Sequence, residues 1–292
     1  DESKYVRHGI GDDAAVLSLG DAEDGEFVVT TDLIADGTHF LSEETSPELI
    51  GRKAMAVNLS DIAAMASKPI AAFVSLLLPD SRDASYAEAI MTGAQRLGEA
   101  YACPIVGGDT NVWEGKLAMN VLIMGQATAQ GPLLRSGAEP EDWILVTGAM
   151  GQSIAGRHLN FTPRIKEALK LHKSYRLHAG MDLSDGLAMD LPRLCKASGV
   201  GANVFSEELP ISSDSIAHTD DRNAQVSSAL GDGEDFELLL AVPPKEAERI
   251  LREQPLAIPI TKIGECTSAK DICLIQDGRK TPLPEIGYEH GK

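Results

Sequence analysis

SPELIGRKAMAVNLSDIAAMASKPIAAFVSLLLP, residues 46–79, reads as a helix followed directly by a strand. Ser46 is an N-cap residue and Pro47 suits the first helical position, so the helix is expected over Pro47–Ala66. The β-branched and apolar run Phe73–Leu78 then reads as a strand. Working outward, the same signals predict strands at Phe27–Thr31, Leu117–Met124, Trp143–Val146, Phe236–Val242 and Ile272–Ile275. Further helices are predicted at Ala84–Ala102, Leu187–Ser198 and Lys245–Glu253. Strands interleaved with helices give a mixed α/β (α+β) chain. At 292 residues it fits two domains. The turn-rich segment GPLLRSGAEPED, residues 131–142, separates two strand signals and sets the expected division at 1–132 and 133–292.

Composition narrows the function. Lys plus Arg total 26 against 44 Asp plus Glu, a formal charge of −18, which opposes nucleic acid and anionic membranes. Ile70–Leu78 is too short for a bilayer span. Cys103, Cys195, Cys266 and Cys273 show no C-x-x-C spacing, which argues against thiolate metal sites and makes the cytoplasm the expected compartment. The chain opens on Asp1 just before a motif, and further residues are expected ahead of it.

The informative aspartates stand at element ends beside Gly, Ser or Thr: Asp12 and Asp13 after Gly11, Asp32 after Thr30 and Thr31, Asp109 after Gly107 and Gly108, and Asp182 and Asp185 around Ser184. Asp61 instead sits inside the otherwise apolar helical stretch Ala54–Met65, where a carboxylate is costly unless paired or on a metal. Each has an ordinary alternative. Asp61 can bond a backbone group or an Arg, Asp12–Asp13 and Asp109 can form turns, and Asp182 and Asp185 can cap a helix. Collectively they say more. Two unit charges about 4 Å apart repel by roughly 4 kcal/mol at an effective dielectric near 20, so several such groups meeting in one cleft require cations. Hard oxygen donors suit Mg²⁺, and the glycines beside the aspartates let backbone N–H groups approach a phosphate, which together describe Mg²⁺- and ATP-dependent phosphoryl transfer. The sequence holds no G-x-x-x-x-G-K-[ST], no H-R-D or D-F-G set and no G-x-S-x-G.

The motifs GIGDDAAVL (9–17), TTDLIADGTHF (30–40), GRKAMAVNLSDIAAMASKP (51–69), GGDTN (107–111), RSGAEPEDWILVTGAMG (135–151), MDLSDGLAMDL (181–191) and ALGDGEDFELL (229–239) follow one another along nearly the whole chain. In that order they resemble the thiamine-monophosphate kinase family, among the aminoimidazole ribonucleotide synthetase-like ATP-binding enzymes. The resemblance implies two domains, each a mixed sheet packed with helices, and a homodimer with the ATP site in a cleft formed largely by the N-terminal domains. It implies direct in-line transfer of the ATP γ-phosphoryl group to thiamine monophosphate. It assigns Asp13, Thr30, Thr31, Asp32, Asp61, Asp109, Asp182 and Asp185 to Mg²⁺, with Asp109 and Asp185 also catalytic. Gly108, Asp109, Arg135, Ser184 and Tyr101 fall to ATP, and His39, Glu234 and Tyr288 to thiamine monophosphate. Asp232 stands where the family usually has Gly, adding a charge beside Glu234.

Overall fold

The computed structural model describes residues 4–18 and 25–288. The first part of the chain contains β1 (Val6–His8), β2 (Ala15–Leu17), β3 (Phe27–Ala35), α1 (Pro47–Ala64), β4 (Lys68–Pro79), α2 (Ala84–Ala100), β5 (Ile105–Trp113) and β6 (Ala118–Gln126). Its sheet runs β1-β2-β3-β6-β4-β5, antiparallel except for the β4–β5 pair at one edge. The second part contains β7 (Trp143–Thr147), α3 (Arg157–Asn160), α4 (Ile165–Ser174), β8 (Ala179–Asp182), α5 (Leu187–Ser198), β9 (Gly201–Phe205), α6 (Ser213–His218), α7 (Arg222–Gly231), β10 (Leu238–Val242), α8 (Pro244–Glu253), β11 (Ile260–Thr267), β12 (Ile272–Gln276) and β13 (Arg279–Pro282). Its sheet runs β13-β12-β9-β11-β7-β10-β8, with β9–β12 the parallel pair.

The α1 helix forms as its caps predict. Ser46 Oγ accepts from the Leu49 amide, Pro47 occupies the first turn, and the chain leaves the helix when Ala66 turns left-handed at φ 47°. The helix is buried nearly all round, because the first sheet, α2 and α4 each cover part of it. Contact with α2 is close enough to require glycine. A Cβ on Gly51 would lie 1.8 Å from the Ile90 carbonyl oxygen, and one on Gly93 would lie 1.9 Å from that of Glu48.

The two halves share a core. Along β10, Leu238, Leu240 and Val242 join the apolar cluster built around α1, whereas Leu239 and Ala241 join a second cluster behind the sheet. β10 is therefore buried on both faces and reads as a continuous apolar run. The first sheet differs. α1 covers β3 and β6 on one side, while Leu33, Phe73 and Leu77 on the opposite face are about 40–60% exposed.

Candidate functional site

α1 meets β3 on one side and β8 on the other, and this meeting builds the site. Along β3, Thr30 and Asp32 alternate toward α1. Thr30 Oγ1 donates to Asp61 Oδ2 at 2.5 Å, and the Asp32 amide donates to Asn58 Oδ1 at 3.0 Å. Asp182, the last residue of β8, accepts from Ser60 Oγ. Asp13 comes in from the turn before β2 and accepts from Arg135 Nη2 at 2.5 Å. Each of Asp13, Asp61 and Asp182 offers a carboxylate oxygen within 4.8 Å of the other two.

Their electrostatics follow from burial and mutual repulsion. Burial first, then the charges of Asp32, Asp182 and Asp13, raise Asp61 well above the ordinary carboxyl value. Asp182 is raised by burial and by Asp13. Asp13 is pushed up to about 6 by burial, against the pull of Arg135. Asp13 Oδ2 is buried with no hydrogen-bond partner. Two buried carboxylates and a half-buried third, one with an orphaned oxygen and only Asp13 paired to a guanidinium, are a donor set that fits a hard divalent cation.

This cluster is one end of a cleft of about 860 Å³. Ser184 and Asp185 line it beyond Asp182, and Arg193 bonds Asp185 at 2.6 Å. Asp190, wholly buried, accepts from the Ser184 and Asp185 amides at 3.0 Å each and fixes that turn. At the other end stand His39, Phe40, Glu234 and Phe236, and Tyr288 also lines the cleft. His39 Nδ1 accepts from the Ala35 amide at 3.1 Å, and the Tyr288 amide donates to the Asp185 carbonyl at 3.1 Å. Asp232 lies apart from its neighbour's chemistry. Its carboxylate accepts from Ser228 and from the Gln152 amide, so the added charge is spent on the 150–153 turn rather than on Glu234.

Twelve of the fifteen residues to which the resemblance assigns a role line this one cleft. Thr31 does so only at its rim, since its side chain lies on the open face of the sheet and donates to Asn120 at 3.0 Å. Tyr101, Gly108 and Asp109 do not line it. The Tyr101 hydroxyl donates to the Pro163 carbonyl at 2.9 Å, which fastens the end of α2 to the second half. Gly108 is needed by the sheet itself, because a Cβ there would fall 1.9 Å from the Val74 carbonyl oxygen. Asp109 sits on edge strand β5, in register with Ser75, which pairs with Asn120, which pairs with Leu33. Three strand spacings put it about 14 Å from β3, on the open face.

Residues not singled out from the sequence also belong to the site. Lys53 is fully buried and pairs with Glu234 through both carboxylate oxygens, at 2.6 and 2.8 Å. His158 Nδ1 is 2.9 Å from the same carboxylate. A signal was present in the sequence: Lys53, Val57 and Asp61 recur every four residues and form one ridge of α1.

The fold is that of the AIR synthase related proteins. The N-terminal domain model of that family matches residues 11–127 and its C-terminal domain model matches residues 128–275. Within that class, the thiamine-monophosphate kinase of Rhodopirellula baltica is 41% identical over 267 residues, 89% of this chain and 83% of the relative. That of Salmonella typhimurium is 36% identical over 308 residues, 98% of this chain and 92% of the relative. A solved structure described as AaThiL complexed with AMPPCP and TMP superposes with a TM-score of 0.83 at 30% identity, covering 99% of this chain and 92% of the other. The chain belongs to the thiamine-monophosphate kinase family.

Proposed function

We infer that the chain transfers the γ-phosphoryl group of ATP to the phosphate of thiamine monophosphate, giving thiamine diphosphate and ADP. One observation carries this reading: a single cleft has buried carboxylates at one end and a fixed carboxylate amid apolar and aromatic side chains at the other. The first end suits a metal–triphosphate and the second a ring system. The related structure with AMPPCP and TMP supports both halves of the assignment.

Asp13, Thr30, Asp32, Asp61, Asp182 and Asp185 would hold Mg²⁺, with Thr31 at the rim. Bound there, Mg²⁺ supplies neutralisation of the phosphate charge that develops during transfer. Arg135 and Ser184 orient the triphosphate from the cleft wall, and His39, Glu234 and Tyr288 hold the acceptor. The acceptor oxygen is already ionised, so the side chains have only to align it with the γ-phosphorus, and no phosphoenzyme is required. Residues 1–132 serve as the nucleotide, Mg²⁺ and dimerisation half, and residues 133–292 complete the site.

Gly108 and Asp109 enter through a second copy. The open face of the first sheet, with Leu33, Phe73 and Leu77, is an apolar surface of the kind that a partner sheet covers. A homodimer packed on that face brings Asp109 of one protomer toward the cleft of the other. The four cysteines are free and buried, which suits a reducing cytoplasm. No helix among the described residues is long and apolar enough to cross a membrane.

The test is a product assay with ATP, Mg²⁺ and thiamine monophosphate. Formation of thiamine diphosphate with stoichiometric ADP is expected. Failure to form it, while another acceptor is phosphorylated, overturns the reading.

A further inference from the structure

Lys53 joins three segments from both halves of the chain at the acceptor end of the cleft. Its ammonium donates to the His39 carbonyl at 2.7 Å, to both oxygens of Glu234, and lies 2.7 Å from His158 Nδ1. The His39 carbonyl and the two Glu234 oxygens take its three N–H groups, and His158 Nδ1 gives its own hydrogen bond to the Glu234 carboxylate. The Glu234 loop is held in an unusual conformation. Glu234 has φ 54° and Phe236 has φ 51°, a left-handed setting that a bulky aromatic rarely adopts. Such backbone persists only where its surroundings over-determine it. Here the Glu234 amide donates to the Ser184 carbonyl and the Phe236 amide to that of Leu183, each at 2.7 Å. Phe236 also stacks on Phe161 with ring centres 4.1 Å apart.

The result is a carboxylate gripped from behind and open in front. Lys53 has no exposed side-chain surface, whereas the Glu234 side chain keeps 24% of its own, on the cleft side. Burial pushes the Glu234 carboxyl upward, but the His158 hydrogen bond and the Lys53 charge together hold it below its ordinary value. Because Lys53 already balances its charge, Glu234 offers the cleft little net field for a ring cation. It does offer directed lone pairs to an N–H donor, since an ionised carboxylate accepts about four hydrogen bonds.

We propose that Lys53 is a positioning residue that fixes Glu234 as the hydrogen-bond acceptor for the exocyclic amino group of the substrate's aminopyrimidine ring. This rests on reading the cleft as a thiamine monophosphate site. It assigns specificity to one atom pair, an amino hydrogen on the ring and the free edge of Glu234.

Binding of thiamine monophosphate and of its analogue with a ring carbonyl oxygen in place of the amino group is measured by calorimetry, with Mg²⁺ and a non-hydrolysable ATP analogue present. The proteins are the wild type, Lys53→Met and the double variant Lys53→Met/Glu234→Gln, which leaves no lone buried charge. The wild type should prefer the amino compound by at least about 30-fold, as expected when a buried acceptor loses its donor. Lys53→Met should weaken thiamine monophosphate by about tenfold or more and leave the ATP analogue within about twofold. A merely architectural lysine would weaken both ligands alike. In the double variant, whose amide presents both a donor and an acceptor, the preference should vanish or reverse. Equal binding of the two compounds by the wild type overturns the proposal, as does wild-type preference retained in the double variant. Because binding is read without turnover, a protein that discriminates yet forms no thiamine diphosphate refutes the proposed reaction and upholds the role of Lys53. Turnover without discrimination does the reverse.

Discussion

Replacing Asp61 by Asn should make the metal-free protein more stable while abolishing its activity. In the structure the charged neighbours of Asp61 are carboxylates, and its hydrogen bond from Thr30 is one that an amide oxygen can accept equally well. A neighbouring unit charge at 4.8 Å costs about 3.5 kcal/mol at an effective dielectric of 20. Two such neighbours would cost about 7 kcal/mol if all stayed ionised. Protonation caps this. Holding a carboxyl of ordinary value 3.8 in its neutral form at pH 7 costs about 4 kcal/mol, at 1.36 kcal/mol per unit. The variant should therefore gain up to about 4 kcal/mol at pH 7. With unfolding entropy near 2.1 cal/mol/K per residue, that is about 7 °C in Tm. The sign with pH is fixed. A carboxyl raised in the folded state costs nothing below its unfolded value and costs progressively more as pH rises above it. The gain should accordingly be near zero at pH 4 and grow toward pH 7. Thermal melts of both proteins in EDTA across that range, repeated in excess Mg²⁺, provide the measurement. The wild type should gain more than the variant from the metal. A variant less stable than the wild type at pH 7 in EDTA, or an advantage that ignores pH, would refute the repulsion argument.

Three further outcomes are expected. Arg164→Ala strips both guanidinium contacts, at 2.8 and 2.5 Å, from the buried Glu237 and should cost about 3–5 kcal/mol in urea unfolding at pH 7. Gly51→Ala drives a methyl group into the Ile90 carbonyl and should lower stability by at least about 3 kcal/mol, seen as a reduced urea midpoint, whereas Gly9→Ala, with nothing nearer than Val6 Cγ1 at 3.9 Å, should cost far less. Asp109→Asn and Asp61→Asn should each be inactive alone. Refolded together they should recover about a quarter of wild-type activity, because half the dimers are mixed and each of these holds one intact site; no recovery would contradict the contribution of Asp109 across the dimer.

Much of the fold was legible because periodicity and caps report local structure directly. All six predicted strands and all four predicted helices have counterparts, and Ser46 and Pro47 mark the start of α1. Two of the strands that escaped notice lacked an apolar signature. β5 carries Gly107, Gly108, Asp109 and Asn111 and faces solvent along most of its length, and β1 is only three residues of exposed chain. The predicted strand start at Phe236 was two residues early, because Phe236, at φ 51°, still belongs to the left-handed turn that presents Glu234 and the ladder begins at Leu238. In the site, the glycine-flanked aspartates were visible as residue types, but their partners were not. Lys53 and Glu234 are 181 residues apart, and nothing local in either segment announces a pair formed only by tertiary packing. Asp109 illustrates the opposite limit: its motif is clear, yet in one protomer it is separated from the cleft by two intervening strands.

The ridge of α1 makes the helix a ruler. Lys53 and Asp61 are eight residues apart, and at 1.5 Å per residue their α-carbons are about 12 Å apart along the axis. One end is referenced to Glu234 and the other to the carboxylate cluster, so under the proposed assignment the distance between ring recognition and phosphoryl transfer is set by a single rigid element rather than by two independent loops. A compound with the right ring and the right phosphate but a shorter or longer tether between them would satisfy only one mark on this scale. A one-residue insertion between Lys53 and Asp61 would turn one mark about 100° away from the other, so the span can change only in whole helical turns.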